Sequence, residues 1–506
     1  MKTYKKIFYN LGLMSAMLLG LISCDPTKVN VSPQNAQKSP LSALLTGAES
    51  SLGFIHQSYG IGPNIFMQQF SGALQDLKPY DQYILSPFFT GGLWSQSYVT
   101  VLNQTAIIEK QSIAENAPIY TGISRVLTAI ALGTLVDDYG DVPYNQAFAG
   151  TDNVKPAFDD AAGLYNLIQT KLDSAIADFS RSPNTFSLSP QGDDVILGGN
   201  AANWIAVAYT LNARYALHLS KIDPEAAARA KGYLYGPEGY RGIKSNSGDA
   251  QVNYGLASTN NGAIFQEQSV RNGWITLGAA FVNLLNGNST TDPYTTPRSS
   301  LPGFIDPRRS SLASNYGTAA NPLYRGKPAG QDASGQVSIA GPFYGRAIAP
   351  HIFVSYAEAK FIEAEAELRL GSITNANDAL KEAVKASFNK LILTSNAAVA
   401  SDPFASAANQ DSYVAARATI TGADFDTNLN TIITQKYIAL FAQTEVWNDW
   451  RRTGFPVLNA AAGGTNSLNP TGEIPRRLNI PPDEYNLNSS APRNTTLQTP
   501  RIFWDK

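Results

Sequence analysis

Three histidines, His56, His218 and His351, stand far apart in a chain of 506 residues. No His-Glu-x-x-His helix is present, so a histidine-rich metal site is not expected. His218 falls inside a helical pattern, where a core or groove position is the simplest reading. The Gly-x-Ser-x-Gly elbow is also missing, which removes the commonest serine-hydrolase signature. Three adjacent acid pairs, Asp137-Asp138, Asp159-Asp160 and Asp193-Asp194, could supply the two carboxylates of a glycosidase, which stand about 5 to 10 Å apart across a sugar. Adjacent aspartates more often end one helix or cap the next, because their oxygens accept from free backbone N–H groups. A carboxylate pair assembled only by folding stays open. A surface glycoside hydrolase is therefore the alternative to a binding protein, and a structural subunit without a ligand is the third class. No cofactor and no metal is called for.

Residues that could hold a ligand without transforming it are easier to find. Sugars present apolar C–H faces and polar edges, so a shallow site needs rings for stacking and amide or guanidinium groups for hydroxyls. Trp274 lies beside Asn272 and Arg271, and a second cluster, Tyr80, Asp81 and Tyr83, follows Pro79. Trp94 is a weaker candidate, because its spacing with Tyr98 and Leu102 is that of a helix face turned to a core. Trp274 also has a core reading, since Ile275, Leu277 and Phe281 could continue it as a buried helix.

The chain has one cysteine, Cys24, which excludes an intramolecular disulfide framework and a thiolate metal cage. It closes a basic start (Lys2, Lys5, Lys6), an apolar stretch from Ile7 to Ile22, and Leu21-Ile22-Ser23-Cys24. A spanning helix needs about 20 apolar residues, and this stretch is interrupted by Tyr9, Asn10 and Ser15. Export is favoured over spanning. The tetrapeptide resembles a bacterial lipobox, in which the thiol is acylated and becomes the first residue of the mature protein. Acyl chains contribute about 0.8 kcal/mol per buried CH₂, enough in combination to hold a soluble domain on a membrane. Residues 1–23 are thus expected to be a lipoprotein signal peptide and 24–40, rich in Asn, Gln, Ser and Pro, a tether.

Formal net charge is −2 and charged residues make up 15% of the chain, against roughly 25% in an average globular protein. No basic stripe exists to neutralise a phosphate backbone, so no nucleic-acid partner is expected. Aromatic residues make up 10%, enough to leave rings over for stacking.

The elements that must position these residues are mostly helical, about eight in number. Trp94, Tyr98, Val101, Leu102 and Thr105 follow helical spacing, as do Leu127, Ile130, Ala131 and Leu135, and 164–179 and 204–219 read the same way. From Tyr356 a helix runs to Leu370, Gly371 stops it, and a second is predicted to start after Thr374 as N-cap. Ala364, Ala376 and Ala383, with Leu380, fall where a tetratricopeptide repeat packs two antiparallel helices closely. Tyr437, Leu440, Phe441, Thr444 and Trp447 are predicted to line one helix face, with Asp449 and Arg452 spaced to pair at i, i+3 before Gly454 and Pro456 end the helix. Between 236 and 349 periodicity fades, and Gly, Asn, Ser and scattered aromatics suggest a functional loop-rich part. The expected fold is mainly α, one domain over 41–506, with a tetratricopeptide-like scaffold at roughly 95–235 and 350–456 and an irregular ligand-binding part at roughly 236–349.

The segment Glu445-Val446-Trp447-Asn448-Asp449-Trp450-Arg451-Arg452-Thr453-Gly454-Phe455-Pro456 resembles the hallmark of the SusD/RagB family of nutrient-binding outer-membrane lipoproteins, in its SusD-like branch. Tyr139 to Tyr144 resembles the family's turn after an early helix, and Leu211 to His218 its central helix. Arg477 to Asn488, with Pro481, Glu484 and Asn488, resembles its closing segment, with Ile480 where an aromatic is usual. With the lipobox, the resemblance covers essentially the whole chain. It implies a non-enzymatic, surface-exposed lipoprotein on the outer membrane that binds an oligosaccharide, or a peptide in some members, and delivers it to a SusC-type TonB-dependent transporter. None of these motifs identifies the ligand.

Overall fold

Apolar residues at helical spacing form most of the frame. The computed structural model describes residues 38–181, 190–255, 263–292, 303–318, 321–421, 424–493 and 495–506, apart from the side chain of Phe88. Cys24, the signal segment, nearly all of the expected tether, and Tyr294 in the loop-rich part lie outside the described residues. Helix α1 (Leu41–Phe66) leads into the short strand β1 (Phe70–Gly72). Helix α2 (Pro87–Gln96), started by Ser86 accepting from Phe89 N with a proline at the first turn, runs through a wider π-helical turn, Ser97–Leu102, into α3 (Asn103–Ala114). Then come α4 (Pro118–Tyr139), α5 (Ala161–Phe179), α6 (Ala201–His218) and α7 (Ala226–Leu234). A hairpin of β2 (Tyr235–Gly236) and β3 (Gly239–Tyr240) opens the irregular part, which holds β4 (Ala250–Val252), β5 (Ile275–Leu277) and α8 (Ala279–Leu285). Strand β6 (His351–Val354) returns the chain to α9 (Tyr356–Arg369), α10 (Ile373–Leu391), α11 (Ala407–Arg417), α12 (Phe425–Ala439), α13 (Glu445–Thr453) and the short α14 (Pro482–Leu487).

Helices adjacent in sequence pack against each other from α3 through α7, and α9 joins α7 to α10 and α12. This is the stacked arrangement of a tetratricopeptide-like scaffold, in which each helix pair buries its apolar face on the next. Ala364, Ala376, Leu380 and Ala383 are fully buried at the α9–α10 contact, as their spacing predicts. Helix α4 is apolar and long enough to cross a membrane, yet 89% of its most apolar window is buried inside the protein. It is a core helix.

Three sequence expectations change. The second helix of the 356–388 unit begins at Ile373, with Ser372 at the cap position, so Thr374 lies inside the first turn. Gly371, at φ +80°, does make the break. Tyr437 and Trp447 do not share one helix: α12 ends at Ala439, Ala442 takes φ +68°, and α13 starts at Glu445. The helices are also more numerous than eight, beginning with α1, which the sequence reading did not assign.

Among the described residues three two-stranded sheets form, all antiparallel, β1 with β5, β2 with β3, and β4 with β6. The irregular part has its own aromatic core. Phe281 stacks on Phe441 with ring centroids 4.4 Å apart, and Phe70 and Tyr344 meet the same ring at 5.0 and 5.4 Å. Phe343, Tyr344 and Tyr324 are buried, so much of the loop-rich part's aromatic content holds it together.

Candidate functional site

The 79–83 and 271–274 segments meet through β1 and β5. Their register pairs Phe70 with Leu277 and Gly72 with Ile275. Beyond the pair, the Trp274 carbonyl accepts from Ala73 N at 2.7 Å and Leu74 N at 3.2 Å. Trp274 is therefore not the start of a buried helix. Ile275 and Leu277 bury their side chains as a strand, and the helix containing Phe281 starts only at Ala279. Trp274 and Asn272 are half-buried and Arg271 is exposed, at the end of a π-helical turn, Gln266–Arg271. Next to Trp274's carbonyl stands Leu74, a large apolar residue 52% exposed. The backbone thus brings an apolar ring, an apolar neighbour, an amide and a guanidinium to adjacent positions of the chain here.

The second cluster is placed differently. Tyr80 is 4% and Tyr83 1% exposed, so neither offers a ring face for stacking in this structure. Tyr80's hydroxyl meets Ser86 Oγ at 2.9 Å, and Tyr83's hydroxyl accepts from Ala461 N at 2.9 Å. Burial pushes both phenols above their ordinary range. Their work is to pin the 310 turns Gln75–Leu77 and Pro79–Gln82. Asp81 is buried as well, where it accepts from Lys327 Nζ at 2.5 Å, Ser71 Oγ at 2.6 Å and Gly330 N at 2.6 Å. This network joins the turns to the 327–332 loop and leaves between them a groove of about 480 Å³, with Gln75, Lys78, Gln82, Ile84, Gln331 and Asp332 in its walls. Lys78 pairs with Asp332 across it at 3.0 Å and holds that carboxyl below the usual range. Sequence reasoning missed these wall residues. Isolated Lys, Gln and Asp in nonperiodic segments carry no local signal, and only Gly330, at φ +73°, marks the turn.

The carboxylates weighed as an acid pair have structural employment. Asp160 caps α5 by accepting from Gly163 N, and Asp159 accepts from the N–H groups of Tyr144 and Asn145. Asp194 takes three backbone N–H groups and the indole N–H of Trp204, while Asp193 accepts from Tyr120. Asp137 is buried, where it accepts from the Tyr165 hydroxyl, Trp504 Nε1 and Asn448 Nδ2. His218 is buried beside it and bonded to Glu445 at 2.8 Å and the Tyr165 hydroxyl at 2.9 Å. These contacts tie α4, α6 and α13 to the chain end, which is why the Trp447 segment reads as scaffold.

The Trp447 motif and the turn at 139–144 sit at one buried junction, where Arg451 donates to the Asp137 and Arg476 carbonyls and Arg477 to that of Tyr139. A family profile described as starch-binding and associating with the outer membrane, SusD-like, matches residues 33–481. No curated protein matches the chain in sequence. Among solved structures, a chitin-binding protein superposes with TM-score 0.73 at 24% identity, over 92% of this chain and 100% of its own. A SusD homologue from Bacteroides uniformis does so with TM-score 0.72 at 19% identity, over 92% of this chain and 99% of its own. A chitin-binding SusD homologue from Flavobacterium johnsoniae gives TM-score 0.71 at 21% identity, with 92% and 99% covered. At those identities the structural likeness carries the fold, and the profile match over most of the length carries the family: the chain belongs to the SusD-like family of starch-binding, outer-membrane-associated proteins.

Proposed function

We propose that this protein is a lipid-anchored, surface-exposed binding protein that captures an oligosaccharide and passes it to a SusC-type TonB-dependent transporter without transforming it. Family membership over residues 33–481 carries the reading, and the chitin-binding names of two structural neighbours point to the same ligand class. The ligand-binding residues proposed are Trp274 for stacking, with Asn272 and Arg271 for the polar edge. Tyr80 and Tyr83 shape the neighbouring groove from beneath. A half-buried indole beside an exposed leucine suits an apolar sugar face, and the adjacent amide and guanidinium suit hydroxyls.

Calorimetric titration of the mature protein with maltooligosaccharides and chitooligosaccharides, with product analysis of the same samples, tests the reading. Saturable binding with the glycan recovered intact is expected. Release of shorter glycans would sink it in favour of a hydrolase, and absence of binding would favour a structural subunit. For the site itself, Trp274→Ala is expected to weaken binding by roughly 1 to 3 kcal/mol with nearly unchanged thermal stability. Unchanged affinity with a sharply lower melting temperature would assign the ring to packing.

A further inference from the structure

A second depression lies away from Trp274, where α8, α11 and α12 converge. Its volume is about 430 Å³, and its walls carry Arg417, Thr290, Thr419, Asn430, Thr431 and Thr434, over a floor that includes Leu284 and Gln435. Among the described residues no aspartate, glutamate or aromatic side chain lines it, so the described walls neither repel an anion nor stack a sugar ring.

Its hydrogen-bonding groups point in a definite sense. Thr431 donates to Thr427 O, Thr419 to Val414 O, Thr434 to Asn430 Oδ1 and Thr290 to Val457 O. With its proton committed, each hydroxyl offers the depression only lone pairs, which accept from a ligand's O–H groups. Donors come from elsewhere. The half-buried Arg417 guanidinium has no ion pair or side-chain hydrogen bond among the described residues, and the Asn430 amide N–H₂ is likewise uncommitted while its oxygen is held by Thr434. Arg417 contrasts with Arg308, which is fully buried on Asp306 at 2.7 Å and donates to the floor residue Gln435. That ion pair makes the floor rigid, and Gln435 spends its own amide on Tyr413 and the Arg417 carbonyl.

We infer that this depression is a binding site for a carboxylate-bearing saccharide unit, a sugar acid, with the Arg417 fork and the Asn430 amide on the carboxylate and the threonine oxygens on the ring hydroxyls. A planar guanidinium with no acidic competitor among the described lining residues matches a carboxylate in a bidentate manner, and the acceptor-only threonine hydroxyls match a polyol. The ordinary role of an arginine in the last turn of a helix is to complement the helix dipole, a role lysine also fills and one that is indifferent to the sugar's charge. The site stands independently of the Trp274 site.

The test is a titration of the mature protein with trigalacturonate and with neutral galactotriose, repeated for Arg417→Gln, Arg417→Lys and Trp274→Ala. Trigalacturonate is expected to bind at least tenfold tighter than galactotriose, with an affinity that falls as salt rises. Arg417→Gln should abolish that preference at an unchanged melting temperature, and Arg417→Lys should recover only part of it, because the fork is lost. Trp274→Ala should leave trigalacturonate binding untouched even where it impairs neutral-glycan binding. Equal affinity for the two sugars, or full acid preference in Arg417→Gln, overturns the inference while leaving the neutral-glycan reading standing. An Arg417→Gln protein that fails to fold moves the decision to Asn430→Ala, whose unchanged preference would overturn it equally.

Discussion

At the scale of single residues, the strongest commitments are buried charges. Arg452 reaches Asp449 Oδ1 at 2.6 Å and Glu365 Oε2 at 2.5 Å, and Lys436 closes on Asp449 Oδ2 at 2.8 Å. Burial pushes the Glu365 carboxyl up, but Arg452 and then Arg369 more than offset it and leave it at about 2. Arg452→Met takes one partner from each of two buried carboxylates, leaving Asp449 with Lys436 and Glu365 with Arg369, and a loss of about 3 kcal/mol in urea unfolding is expected; a loss below 1 kcal/mol would show that the pair is not closed. The Asp449–Arg452 half of this network was legible as an i, i+3 spacing, whereas Glu365, 87 positions away, was not. Two further buried groups make opposed pH terms. Burial, then the Arg214 charge, lowers His56 to about 4, and the unfolded chain protonates it near 6.5. Its contribution is present above 6.5 and is lost as pH falls towards 4, about 2 kcal/mol between pH 7 and 5. Burial raises Asp138 to about 7 from 3.8. Its contribution is full below 3.8 and lost as pH rises through 7, so between pH 7 and 5 it moves stability by a similar amount in the opposite direction. His56→Phe is therefore expected to raise stability at pH 5 relative to pH 7, and Asp138→Asn to lower it. Parallel urea titrations at the two pH values check both signs.

Among elements, legibility followed local chemistry. The α9–α10 pair could be read because small residues recur at helical spacing and a glycine at positive φ divides them. Ala364→Leu or Ala376→Leu is expected to overpack that contact and to destabilise by about 1 to 3 kcal/mol in thermal or urea unfolding. A neutral result would mean that the helices can spread, against a close-packed repeat. Helix α1 was not legible, because its glycines lower helix propensity and are there for neighbours the sequence cannot show. A Cβ on Gly62 would stand 2.4 Å from the ring of Phe89. The break between α12 and α13 was missed for a similar reason. No glycine or proline marks it; Gln69, far away in sequence, accepts from Ala442 N at 2.9 Å and donates to the Tyr437 carbonyl at 2.7 Å, satisfying the groups the broken helix leaves free. Of the candidate site, Trp274 and its polar neighbours were legible as residue types, but the burial of Tyr80 and Tyr83 follows from the Asp81–Lys327 network, which joins positions 246 apart.

At the scale of the whole molecule, the proposed function requires two attachments to the membrane, and they can be separated. One is the acyl anchor at Cys24, for which the basic start, the apolar run and the Leu21-Ile22-Ser23-Cys24 motif speak. Each buried CH₂ contributes about 0.8 kcal/mol, so the anchor alone should hold the protein on the outer membrane. The other is contact with the SusC-type transporter, a protein–protein interface that needs no lipid. In cells lacking the transporter, wild-type protein is expected to fractionate with the outer membrane and Cys24→Ala to be released into the soluble fraction. With the transporter present, Cys24→Ala should be partly retained, and mild detergent extraction of native membranes should recover a barrel of transporter size with the tagged protein. Retention of Cys24→Ala without the transporter would exclude the acyl chain as the anchor. Recovery of the wild-type protein alone, under conditions that preserve other transporter complexes, would remove the delivery step and leave a glycan-binding surface protein with no route inward.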